Sequence, residues 1–151
     1  MVEGSRQALA VRAILLSSAL SNGVIGLWAT ASPRGWFDTF PGFGKVWVAV
    51  DGPFNEHLVR DVGAWSLALT ILTLGAAWSL ERRYVLVTGL ALAAQSASHA
   101  HYHLTNRDPL PGTADQIASS GGILLLVVAG LAVAHLAFHS PAPAGRASEQ
   151  P

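Results

Sequence analysis

Cysteine is absent from this chain, methionine occurs once, and charge is scarce. Without cysteine there is no disulfide, no thiolate metal site, no cysteine-ligated iron–sulfur cluster and no thiol redox chemistry. Lys and Arg together number nine and Asp and Glu nine, so the net charge is zero with histidine neutral. No basic field is present to gather nucleic acid or anionic lipid. Charged residues make up 12% of the 151 positions and apolar residues 51%. Charge at about half the share usual in soluble domains cannot cover a protein of this size, and a bilayer is the solvent that suits it. The length implies one domain, held by packing alone.

A helix needs roughly 20 residues to span the hydrocarbon, at about 1.5 Å per residue. Residues 13–31 are free of charge and mostly apolar, with Ser21 and Asn22 in the middle. Residues 62–80 form a second uncharged run, closed by Glu81, Arg82 and Arg83. Residues 84–103 begin apolar and turn polar through Gln95, Ser96, Ser98 and His99, while residues 117–138 are apolar almost throughout. The expected fold is all-α: an integral-membrane four-helix bundle, up-down-up-down, filling residues 1–139 with helices near 8–31, 55–80, 83–104 and 114–138. Three residues join the second and third segments, which makes those two antiparallel neighbours.

Local punctuation agrees. Asn55 is placed to cap the second helix just after Pro53. Thr113 and Gln116 have the spacing of a capping box, in which each side chain bonds the other's amide. Asn106 and Pro109 are stop signals after the third helix. The short turn with Arg82 and Arg83, together with Arg6, Arg12 and Arg146, puts both termini in the cytoplasm of a multi-pass cell-membrane protein. Arg34, Lys45, Arg60 and Arg107 then lie outside. A second reading of the first segment is a secretory signal, with Arg6 and Arg12 before the apolar stretch and Ala29-Thr30-Ala31 as cleavage site. The stretch exceeds the roughly 7–15 residues of a signal core, and Asn22, Gly23 and Gly26 suit helix packing.

A long aromatic loop separates the first two helices, with Trp36, Phe37, Phe40, Phe43, Trp47 and Phe54 set among Gly and Pro. Such a loop lies against the headgroups or folds down as a lid. Residues 46–50 suit a short extended piece, but no partner strand is visible. The tail, residues 140–151, reads as disordered.

Polar residues gather where the second helix starts, the third ends and the fourth starts: Asn55, Glu56, His57, Arg60 and Asp61; then His99, His101 and His103; then Asp115. Residues four apart share a helical face, which stacks Glu56 on Arg60, His57 on Asp61 and His99 on His103, with Gln95 one turn deeper. His101 points about 200° away from His99. One reading is a metal site of His57, Asp61, His99 and His103, suited to Zn, Fe, Mn or Cu, with haem as a lesser possibility. Asn55, Glu56, Arg60, Gln95 and Asp115 would support it. The other reading is a structural network in which Arg60 pairs with Glu56 or Asp115 and His57 donates to Asp61. His135 and His139 repeat the spacing at the opposite face, where snorkelling accounts for them. Trp65 and Trp78 read as packing or interface anchors.

The segments Trp36-Phe-Asp-Thr-Phe-Pro-Gly, Gly52-Pro-Phe-Asn-Glu-His-Leu-Val-Arg-Asp-Val-Gly-Ala64 and Ser98-His-Ala-His-Tyr-His-Leu104 resemble a group of small actinobacterial four-helix membrane proteins, distantly DoxX-like. The resemblance covers most of residues 12–138. It implies a four-helix membrane fold and weight for His99 and His103, with His101 a local addition. Some DoxX-type proteins are associated with quinone-linked sulfur oxidation or with oxidative-stress complexes in the membrane. Two functions follow as expectations. The first is a redox-related or metal-binding membrane protein with a His/Asp site near the outer face. The second is a non-enzymatic accessory subunit or lipid-binding bundle, in contact with the bilayer and with other subunits or further copies of itself, and not with nucleic acid.

Overall fold

The computed structural model describes residues 4–106, 109–110 and 112–140. The expected disordered tail therefore lies outside the described residues, apart from Ser140. The described residues form five helices and one small hairpin: α1 (Ser5–Ala31), α2 (Pro33–Thr39), β1 (Pro41–Gly42), β2 (Lys45–Val46), α3 (Glu56–Ser79), α4 (Arg82–Thr105) and α5 (Thr113–Phe138). Each of the four expected long helices is present within three residues of its anticipated ends.

Glycine decides how these helices pair. Against α3, a Cβ on Gly26 would lie 2.9 Å from the Leu67 amide nitrogen, and one on Gly63 would strike the Thr30 side chain. Gly89 and Gly130 face each other at the crossing of α4 and α5, where a Cβ on either would sit 2.6 Å from a backbone nitrogen of the opposite helix. Such small-residue crossings bring backbones together where lipid supplies no hydrophobic drive. α1 thus packs chiefly on α3 and α4 chiefly on α5, with slighter contact between α1 and α5 and between α3 and α4. A shared core of Val11, Leu15, Leu69, Ala76, Val85, Leu92, Val133 and Ala137 draws on all four long helices.

Arginine and glutamine tie helix ends at the α3–α4 turn. Arg12 donates to the carbonyl of Ala77 at 3.0 Å, and Arg82 to those of Ala137 at 3.0 Å and Phe138 at 2.6 Å. Gln7 donates to the carbonyl of Leu136 at 2.8 Å. These bonds satisfy C-terminal carbonyls that have no intrahelical partner, and the two arginines place positive charge at the negative end of the dipole. The turn itself is Leu80 in the left-handed region (φ 48°) followed by Glu81. Glu81 caps α4, accepting from the amides of Arg83 at 3.0 Å and Tyr84 at 2.7 Å. Those two bonds hold its carboxyl below the usual carboxylate range.

Among the described residues, three helices are long and apolar enough to cross a membrane: Arg6–Ala31, Glu56–Ser79 and Thr113–Phe138. Only 22%, 33% and 22% of their most apolar windows are buried inside the protein, so most of that apolar surface faces outward. By length and composition this is a small multi-span membrane protein. α4 has the length, but its polar last turns keep it out of that set.

The long connector departs from the expectation of an irregular loop. Pro33 opens α2 at a position where its missing N–H is harmless. Residues 45–46 do have a partner strand, the antiparallel β1, with Pro41 opposite Val46 and Gly42 opposite Lys45. Two-residue strands leave no periodicity to read. Trp36 and Phe37 are buried with Ala29 and Val59, and Phe40, Val48 and Phe54 pack around them. The capping box at Thr113 also does not form. Thr113 is already the first helical residue, Gly112 is the cap, and Gln116 instead donates to the carbonyl of Leu110 at 2.6 Å.

Candidate functional site

The polar residues singled out from the sequence lie at the connector end of the bundle. On α3, Asn55 caps the helix by accepting from the amide of Leu58 at 3.2 Å. Glu56 and Arg60 form an ion pair at 2.8 Å, and Arg60 also donates to the carbonyl of Thr30 at 3.0 Å, which fastens α3 to the end of α1. His57 Nε2 stands 3.4 Å from Asp61 Oδ2, with the two side chains 83% and 50% exposed. That distance is beyond a good hydrogen bond, and the pair is open to its surroundings.

On α4, the Nε2 atoms of His99 and His103 are 3.1 Å apart. One ring must donate and the other accept, since a neutral imidazole carries one N–H. The Tyr102 and His103 rings meet edge to face at 5.6 Å between centroids, and the Tyr102 hydroxyl donates to Asp51 in the connector at 3.3 Å. His101 is exposed and takes no part in this cluster beyond its carbonyl, which accepts from Thr105 at 2.8 Å. Gln95 does not join the histidines through a hydrogen bond; it accepts from the hydroxyl of Ser96 at 3.3 Å.

Asp115 opens α5 and pairs with Lys45 of the hairpin at 3.0 Å, not with Arg60. Lys45 and Asp51 thus reach from the connector to α5 and α4 respectively, bridging the end of the bundle. Sequence reasoning missed Lys45 and Asp51 as members of the cluster. Loop residues carry no periodicity that would place them, and only the hairpin brings Lys45 to α5.

In the metal reading of the sequence, His57, Asp61, His99 and His103 form one four-ligand site. The structure holds them as two local pairs, and among the described residues no group of three or more His, Asp and Glu side chains is placed to hold a metal ion. The reason lies in the packing: α3 is drawn onto α1 and α4 onto α5, while α3 and α4 touch little.

At the opposite end the rings of His135 and His139 lie 4.4 Å apart, both exposed, and no ion pair joins them to an acid among the described residues. Trp65 and Trp78 lie exposed on the outside of α3, as anchors toward lipid would. Compared with protein-family models, curated proteins and solved structures, the chain matches none.

Proposed function

We propose that the chain is a non-enzymatic four-span bundle of the cell membrane, an accessory or lipid-facing subunit with both termini on the cytoplasmic side. α1 runs antiparallel to α3, since Gly26 meets Leu67 and Arg12 meets Ala77. It also runs antiparallel to α5, since Gln7 meets Leu136. Two spans that run the same way require a return crossing between them, and α4 is the segment that supplies it. Its polar turns then sit against α5 and the connector, not in the bilayer centre. Arg6, Arg12, Arg82 and Arg83 fall at the end opposite the connector, in keeping with the positive-inside bias. The resemblance to small DoxX-like membrane proteins points the same way.

The carrying observation is what the connector-end polar groups are bonded to. Arg60 holds Glu56 and Thr30, Lys45 holds Asp115, Tyr102 holds Asp51 and Asn55 caps α3. Each bond fastens a helix end or the connector, whereas a catalytic set converges on one point. Arg60→Met, Lys45→Met and Tyr102→Phe should each lower the thermal midpoint of the detergent-purified protein. Unchanged midpoints in all three overturn the reading.

A second reading rests on the His99–His103 spacing. Two ligand nitrogens around a tetrahedral ion lie about 3.3 Å apart for metal–nitrogen bonds of about 2.0–2.1 Å, close to the 3.1 Å separation here. The two imidazoles would form a shallow clip for Zn, Fe, Mn or Cu, with water completing the shell, and His57 and Asp61 would stand outside it. Elemental analysis decides: this reading requires metal near one per chain that disappears in a His99→Ala, His103→Ala variant.

A further inference from the structure

The connector's rings pack against one another, except for one. Trp36 and Phe40 are 5.2 Å apart, Phe40 and Trp47 6.3 Å, and Phe37 and Phe54 5.3 Å. Phe43 is 101% exposed. It stands at the tip of the β1–β2 hairpin between two glycines, with positive φ at Gly42 (94°), Phe43 (57°) and Gly44 (73°). A left-handed hairpin tip favours glycine, asparagine or aspartate, and a bulky residue is disfavoured there. Neither turn geometry nor packing within the chain accounts for phenylalanine at this position.

The surroundings of the tip indicate what does. Its stem is held, because Trp47 N–H donates to Phe40 at 2.8 Å and a side chain at Gly42 would reach the Trp28 ring at 4.0 Å. A side chain at Gly44 would meet nothing within 4 Å, so the tip projects clear of the protein. Its level is set as well. Lys45, two residues on, pairs with Asp115 in the first turn of α5, at the end of a helix long and apolar enough to span a membrane. Val46 and Val50 are exposed beside it.

We propose that Phe43 is a membrane anchor, its ring seated at the headgroup–acyl boundary of the leaflet on the connector side, with Lys45 directed to the polar layer. The inference rests on the membrane-spanning reading above. Lipid is the occupant because the tip lies level with the end of an apolar span. The aromatic cluster behind the tip then becomes a rigid mount that sets the depth of the ring.

The absence of cysteine makes the test direct, since any introduced cysteine is the only label site. An environment-sensitive fluorophore is attached at Phe43→Cys in the full chain, reconstituted into phosphatidylcholine vesicles, and quenched by lipids carrying a nitroxide near the glycerol or by aqueous iodide. Asp38→Cys serves as a water-facing reference and Val128→Cys as a bilayer reference. At position 43 the lipid nitroxide should quench at least about twofold more than at position 38. Quenching by iodide at the level of Asp38→Cys overturns the proposal. Protection from both quenchers also overturns it, because the tip then lies against protein, such as a second copy. Loss of lipid quenching at position 128 signals that the membrane reading has failed, independently of position 43.

The role of the ring itself is read from a label at Val46→Cys. Replacing Phe43 by Ser should cut lipid quenching there about twofold; equal quenching with either residue overturns the anchor role.

Discussion

Replacing Gly89 by alanine tests the packing that organises the whole bundle. The added Cβ would lie 2.6 Å from the Ala134 amide nitrogen, 2.9 Å from the Gly130 carbonyl oxygen and 3.0 Å from Val133 Cγ1. Ordinary contact begins near 3.4 Å, so the first approach falls short by about 0.8 Å. Two of the three obstacles are backbone atoms of α5, which no rotamer change can clear, so the helices must move apart. Such overpacking costs about 1–3 kcal/mol, and the better helix propensity of alanine offsets at most about 1 kcal/mol of it. With that offset in full, a net loss of up to about 2 kcal/mol follows. Gly130→Ala is the mirror case, with its Cβ 2.6 Å from the Ala93 nitrogen. At Gly121 and Gly122 a Cβ would meet nothing within 4 Å, so alanine there brings propensity alone and a gain of up to about 1 kcal/mol. The same substitution in the same helix therefore carries opposite signs. Once α4 and α5 have parted for one methyl group, the second costs less, so the Gly89→Ala, Gly130→Ala pair should lose less than the sum of the singles. Unfolding by rising SDS fraction in mixed micelles, followed by circular dichroism, measures all five variants. Gly89→Ala as stable as Gly121→Ala, or an additive double variant, refutes the reasoning.

Thr88 is buried on α4 with a hydroxyl that has no hydrogen-bond partner among the described residues; Thr88→Val should raise stability by about 1 kcal/mol in the same assay. Arg82→Met removes the charged bonds to Ala137 and Phe138 and should lower it by about 1–3 kcal/mol, with proteolysis at the C-terminal end of α5 increasing. Glu81 has a folded pKa below its ordinary 4.5, because it accepts from the amides of Arg83 and Tyr84. Its contribution is thus fully present above about pH 4.5 and is lost as pH falls through the lowered folded value. Melting curves of Glu81→Gln should therefore vary less than wild type over that acid range, and an equal acid loss in both would contradict the assignment.

The residues placed at the connector end show how far linear spacing reaches. Glu56 with Arg60, His57 with Asp61 and His99 with His103 were legible because a helix puts residues four apart on one face, and all three contacts exist. Spacing within a helix says nothing of which neighbour it packs on. His57 with Asp61 and His99 with His103 stand as two local pairs on α3 and α4, helices that touch each other little. Asp115 went to Lys45 because a six-residue hairpin that pattern reading could not see delivers the lysine.

Composition and charge spacing by themselves determined that the chain is helical and membrane-embedded, and where its long helices begin and end. Those properties depend on each segment's own exchange of water for lipid and on the caps at its ends. Tertiary structure alone decided that α1 pairs with α3 and α4 with α5, that the connector folds into a helix and hairpin, and that one phenylalanine is left bare at its tip. Each of these turns on close approach between residues far apart in the chain, such as Gly89 to Gly130 and Lys45 to Asp115, and no local pattern encodes such contacts.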